Sequence, residues 1–350
     1  MELSKTFRFQ SQNLSSFIPF CTINNNPLKN QLPFTTKLII NKPKTTRLTV
    51  TAKRKPPIEG VSEELNNIAC YNLDFAYSRR RVRSAFIEVH QQLDHCLFKD
   101  APAGIRTEER YERNSRGLEI FCKSWMPEPG IPVKASVCFC HGYGDTCTFF
   151  FEGVARRIAA SGYAVFAMDY PGFGLSEGLH GYIPNFDDLV DDVIEHYTQI
   201  KARPDMRELP RFLLGQSMGG AVSLKVHLKE PNNWDGVVLV APMCKAVYNV
   251  ICYEDNPRLS TGMELLRITK EIESKVEKVS APLFILHGAA DKVTDPLVSQ
   301  FLYENASSKD KTLKLYENGY HCILEGEPDD RIYAIHDDII AWLDSRCSIK

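Results

Sequence analysis

The sequence lacks any apolar run approaching the roughly 20 residues that cross a bilayer. It lacks an excess charge: 42 Lys and Arg stand against 44 Asp and Glu, a formal net of −2, so there is no basic footprint for nucleic acid. Eleven cysteines occur without paired Cys-x-x-Cys knuckles, which argues against a zinc module or a disulfide framework and for buried free thiols in a reducing compartment. No metal is expected. Cys138 and Cys140 have the spacing of side chains on one strand face. No internal repeat or low-complexity tract is present, and 43% hydrophobic residues in 350 positions suit one large α/β domain plus an extension.

The first 52 residues have a single acid. Glu2 is their sole carboxylate beside Lys5, Arg8, Lys29, Lys37, Lys42, Lys44 and Arg47, and Ser, Thr and Asn are abundant. No continuous apolar segment follows the basic residues, so a secretory signal fits poorly. Hydroxyl-rich, acid-poor and basic is the composition of an organelle transit peptide. Scarce Arg and no long amphipathic helix favour plastid over mitochondrion, with removal near Val50-Thr51-Ala52; the alternative is a disordered tail on a cytoplasmic protein.

After a linker at Pro56-Pro57, the stretch 53–105 reads as a helical extension. Val82, Phe86, Val89, Leu93 and Leu97 recur at spacings that put one apolar stripe on a helix. Arg79, Arg80, Arg81 and Arg83 read as a solvated face, with contact to an anionic membrane surface the alternative. From residue 106 the pattern alternates. Glu108–Arg113 and Leu118–Trp125 form a hairpin across Asn114-Ser115-Arg116-Gly117. Short apolar runs at Ala135–Cys140, Ala164–Met168, Phe212–Leu214, Gly236–Val240, Leu283–Leu286 and Leu313–Tyr316 are separated by helical stretches. Strands buried on both faces read this way, so 106–350 is expected to be a mostly parallel, doubly wound sheet with flanking helices. Reactive residues then belong in loops at the carboxyl ends of the strands.

Gly215-Gln216-Ser217-Met218-Gly219 stands at such an end, between an apolar strand and a helix. A serine hydroxyl is a weak nucleophile without a base, and flanking glycines permit a sharp turn that lifts Oγ into a pocket. A base and an orienting acid should follow in chain order. His321, after the last strand, is the candidate base, and Asp291 the candidate acid; Asp295 is the fallback acid, although it also suits the cap of a helix starting at Pro296. His287 is expected to bond locally. Met218 N–H and Tyr143 N–H, the latter in His141-Gly142-Tyr143-Gly144, are the candidate oxyanion donors. His95 and Asp100 match an acyltransferase-like spacing, but chance predicts about half such a match from the His and Asp counts, and the pair lies outside the sheet.

With these motifs, together with Met168-Asp169-Tyr170-Pro171-Gly172-Phe173-Gly174-Leu175-Ser176, Leu286-His287-Gly288-Ala289-Ala290-Asp291 and Tyr320-His321, residues 106–345 resemble the α/β-hydrolase fold. More narrowly they resemble the monoacylglycerol lipase family, on the plant branch that holds caffeoylshikimate esterase. The resemblance implies a triad of Ser217, Asp291 and His321, oxyanion donors at Tyr143 and Met218, no cofactor, and an ester of glycerol, a lysophospholipid or a phenolic acid as substrate. Family members carry a cap of several helices after the strand that here ends at Val240. In this chain only the remnant 246–257 stands there, so the cap reads as largely deleted. A catalytically silent isoform or ligand-binding protein is the competing reading.

Overall fold

The computed structural model describes residues 57–245 and 258–347. The expected transit segment 1–52 and the cap remnant 246–257 lie outside the described residues.

From Ser62 onward the chain forms one compact unit. Four short helices come first: α1 (Glu63–Ala69), α2 (Ala76–Ala85), α3 (Ile87–Gln91) and α4 (Cys96–Lys99). The single apolar stripe expected here is therefore divided. Phe86 leaves helical geometry, Leu93 falls between helices, and only Phe86 and Leu97 of the five stripe residues are buried. Beside these few buried apolar residues, polar contacts hold this region. Arg79 is 6% exposed and donates to the carbonyls of Gly174 (2.6 Å), Leu73 (2.7 Å) and Ser176 (2.5 Å). Arg80 pairs with Glu119, and Arg83 forks onto Glu109. The expected solvated face is thus turned inward at Arg79, because buried carbonyls need donors and the guanidinium supplies several at once, while Arg80 and Arg83 stay partly exposed in ion pairs.

The sheet has eight strands: β1 (Arg106–Arg113), β2 (Glu119–Met126), β3 (Ala135–Cys140), β4 (Tyr163–Met168), β5 (Arg211–Gln216), β6 (Gly236–Val240), β7 (Leu283–Gly288) and β8 (Lys311–Tyr316). Their order is β1-β2-β4-β3-β5-β6-β7-β8. The hairpin β1–β2 is antiparallel, with Arg113 opposite Glu119, and β2 joins β4 antiparallel; every later pairing is parallel. Alternation of side chains along the strands feeds two cores. Cys138, Cys140, Leu213 and Ile285 point to one, with α6 (Phe186–Ala202), α7 (Met218–Lys229), α8 (Leu259–Ser274) and α9 (Pro296–Asn305). Val137, Phe139, Phe212, Leu214, Phe284 and Leu286 point to the other, with α4, α5 (Phe150–Ala160) and α10 (Asp329–Asp344). Helices thus cover both faces, and the carboxyl ends of β3, β5, β7 and β8 share one edge. The nine described cysteines are all free thiols, and no described helix is long and apolar enough to cross a membrane.

Candidate active site

Ser217 links β5 to α7 in a backbone conformation that few side-chain-bearing residues adopt, φ 53° and ψ −118°. The neighbouring glycines explain how this is tolerated. A Cβ on Gly215 would stand 2.4 Å from Gly219 O and Ser223 Oγ, and one on Gly219 would stand 1.8 Å from Cys140 O. No larger residue fits either place. The turn is pinned by Gly220 N–H and Met243 N–H, both donating to Ser217 O at 2.9 Å. Met218 opens α7, so its N–H belongs to the first turn, where the positive end of the helix dipole faces the serine.

His321 leaves the loop after β8 and meets Ser217, with Nε2 3.0 Å from Oγ. Its Nδ1 lies 2.7 Å from Asp291 Oδ2. Asp291 is acceptor-only when ionised, so Nδ1 carries the proton and Nε2 presents its lone pair to the hydroxyl. Asp291 stands in the turn after β7. Burial alone would raise its pKa, but hydrogen bonds from His287 and His321 pull the carboxyl well below its ordinary value. Asp295 is not part of this chain of contacts. Its Oδ1 accepts from Leu297 N–H at 2.9 Å and caps α9, with Pro296 at the first position.

Further side chains complete the support. Thr294 Oγ1 donates to Asp291 Oδ2 at 2.9 Å. His287, expected to bond locally, does so with a particular partner: Nε2 reaches the same Asp291 Oδ2 at 3.0 Å while Nδ1 sits 2.6 Å from Ser299 Oγ, both side chains of the His287–Asp291 pair being fully enclosed. Since Asp291 only accepts, His287 Nε2 donates and its Nδ1 accepts from Ser299. Beneath the nucleophile, Gln216 Nε2 donates to Glu325 Oε1 at 2.8 Å, and His95 Nε2 lies 2.8 Å from Glu325 O. His95 therefore joins the extension to the loop behind His321, and its spacing from Asp100 carries no chemistry. No sequence pattern marks these partners, since each is set by where neighbouring strands end.

The loop after β3 lies against the serine: a Cβ on Gly142 would be 3.5 Å from Ser217 Cβ, ordinary contact. His141 fixes the loop by donating from Nδ1 to Gly142 O (2.8 Å) and accepting Tyr170 N–H at Nε2 (3.2 Å). Burial lowers its pKa and keeps the imidazole neutral for that role. Tyr143 donates its hydroxyl to Gly181 O at 2.7 Å, and so ties the candidate oxyanion loop to the loop held by Arg79. Asp145 follows, its carboxyl pushed up to about 7 by burial.

A serine on a strained strand-to-helix turn, an imidazole and a carboxylate, all at one edge of this sheet, is the arrangement of a serine-type α/β-hydrolase. A family model described as Hydrolase_4, serine aminopeptidase S33, matches residues 131–251 and 245–329. These stretches span more than half the sequence, and the chain belongs to that family. Among its relatives, caffeoylshikimate esterase of Arabidopsis thaliana is 31% identical over 290 positions, covering 69% of this chain and 87% of the relative. Monoglyceride lipase of Homo sapiens is 29% identical over 276 positions, covering 67% and 89%. Among solved structures, Paleococcus ferrophilus monoacylglycerol lipase superposes with a TM-score of 0.56 at 21% identity, covering 65% of this chain and 99% of that one, a likeness of fold. The protein is thus an esterase- or lipase-type hydrolase by family.

The family-model match is interrupted where the cap was expected. The family model is matched in two pieces that meet at 245–251. In the plant alignment, 69% of 350 residues (about 240) occupy 290 positions, so about 50 positions have no counterpart in this chain.

Proposed function

We propose that the protein hydrolyses carboxylic esters through an acyl-enzyme on Ser217, with His321 as general base and acid and Asp291 as its orienting carboxylate. The observation that carries this is the unbroken contact chain from Ser217 Oγ through His321 to Asp291, at 3.0 and 2.7 Å. His321 Nε2 takes the hydroxyl proton as Oγ attacks the ester carbonyl. Met218 and Tyr143 N–H receive the negative oxygen of the tetrahedral intermediate, each donor being worth about 3 kcal/mol of barrier. The C–O bond to the alcohol breaks, and the imidazolium returns its proton to the departing oxygen. Water then repeats the sequence against the acyl-serine, releasing the acid and restoring Ser217.

For substrate we propose a monoacylglycerol or lysophospholipid. The names of the lipase relatives support the monoacylglycerol reading. The plant esterase relative supports a second, a phenolic ester of the caffeoylshikimate type. Purified residues 53–350 assayed on both classes separate them. Labelling by a fluorophosphonate probe tests the chemistry itself: wild type is expected to label and Ser217→Ala to stay blank, with turnover down at least ~10⁴-fold. Equal labelling of the two proteins would leave the silent, ligand-binding reading in its place.

A further inference from the structure

A second cluster of chemistry-bearing side chains gathers where β1, β2 and α6 meet. Glu112 comes from β1, Cys122 from β2 and His196 from α6; Cys122 is 2% and His196 6% exposed, and Glu112 is half-buried. Cys122 Sγ lies 3.6 Å from His196 Nδ1 and 3.9 Å from Glu112 Oε2, and that oxygen lies 3.6 Å from the same Nδ1. As a hydrogen bond the imidazole–carboxylate contact is too long. As the outline of a cation site the three contacts agree with one another. The point equidistant from all three atoms is about 2.1 Å from each, within the range of zinc bonds to sulfur (about 2.3 Å), nitrogen and oxygen (about 2.0–2.2 Å).

We infer that Glu112 Oε2, Cys122 Sγ and His196 Nδ1 form a binding site for one divalent cation of the zinc class. One thiolate, one imidazole and one carboxylate are a donor set that suits zinc and disfavours magnesium or calcium, which take oxygen alone. Three protein ligands leave one tetrahedral position for water. A depression lined by Glu112, Asp192, Glu195 and His196 brings solvent to that side. Arg110 Nε stands 2.6 Å from the other oxygen of Glu112, Oε1, as an ion pair, which leaves Oε2 for the cluster. A bound ion would tie the hairpin to α6, elements brought together by the sheet from positions 112, 122 and 196. Cysteine spacing could not reveal such a set, which is why the sequence pointed to no metal.

The test uses the full chain stripped with EDTA, carrying Cys70→Ser and Cys322→Ser to remove the two exposed thiols among the described residues. Cobalt(II) is expected to bind one per chain with a near-ultraviolet thiolate-to-cobalt band, and zinc(II) to bleach it. Cys122→Ser should abolish the band. His196→Asn and Glu112→Gln should each weaken zinc binding at least tenfold by calorimetry. Because Glu112 is half-exposed, Glu112→Gln keeps the test open if a substitution at the buried positions unfolds the protein. Absence of the band, or zinc affinity unchanged in Glu112→Gln and His196→Asn, overturns the site.

Discussion

Asp291 Oδ2 accepts from three side chains at once: His321, His287 and Thr294. Removing a donor to a buried charge costs about 1.5–3 kcal/mol, so His287→Leu should lower kcat roughly ten- to a hundredfold with KM little changed. His287→Gln should recover most of it, because an amide can still donate to Asp291 and accept from Ser299. Steady-state kinetics on a soluble ester distinguishes the two variants. Asp295 supplies the contrast. Its carboxylate caps α9 and does not touch the imidazole, so Asp295→Ala should cost about 1 kcal/mol of stability in denaturant melts and leave kcat within twofold. Asp145 adds a pH dependence. Its folded pKa, about 7, lies above the ordinary 3.8, so the native state binds the extra proton and loses stability as pH rises from about 4 to 7. Asp145→Asn keeps the acceptor for Thr146 N–H. It should be more stable than wild type at pH 8, by about 1–2 kcal/mol after allowing for partial solvent access, and equal to it below pH 4.

At the scale of elements, the strands and the helical character of the extension were readable, and the division of that extension into four short helices was not. β3, β4, β6 and β7 are buried on both faces and are apolar apart from Ser136 and His287, so their sequences announce them. The elbow was readable as well, since Gly215 and Gly219 stand where a Cβ would strike neighbouring atoms. α1 to α4 are held by Arg79, Arg80, Arg83 and His95, whose partners lie in distant loops and strands. No periodicity records such contacts, and the apparent stripe from Val82 to Leu97 was coincidental. Thr294 and the partner of His287 were equally hidden, because both depend on the turn after β7. Arg79 offers the test of this level. Its charge is retained although burial brings its pKa down to about 10. Arg79→Met would strand several buried carbonyls of the 174–178 loop and should destabilise the protein by about 3 kcal/mol or more in chemical denaturation. Arg79→Lys should repair only part of this, since one ammonium cannot span the guanidinium's acceptors.

At the scale of the molecule, the deciding feature is the break in the family match, beside about 50 positions of the plant alignment that have no counterpart in this chain. The two matched pieces of the family model meet at 245–251, and α8 begins shortly after, at Leu259. Its first turns expose an apolar row, Leu259 at 81%, Met263 at 63% and Leu266 at 44%, spaced as one helix face. A face of this kind is normally covered. The triad is untouched by the gap, because β5, β7 and β8 supply Ser217, Asp291 and His321 from either side of it. Chemistry and substrate cover are thereby separable. Each methylene taken out of water contributes about 0.8 kcal/mol, close to fourfold in kcat/KM, so a covered acyl tunnel yields a steep rise with chain length. Without that cover, kcat/KM on p-nitrophenyl esters below their micellar concentrations should change less than about tenfold from four to twelve carbons. Replacing residues 246–257 by the corresponding longer segment of the plant relative should steepen the dependence while fluorophosphonate labelling of Ser217 stays the same. A steep preference for long chains in the unmodified protein would mean that the acyl group is buried by something already present, and the separation of chemistry from cover would fail.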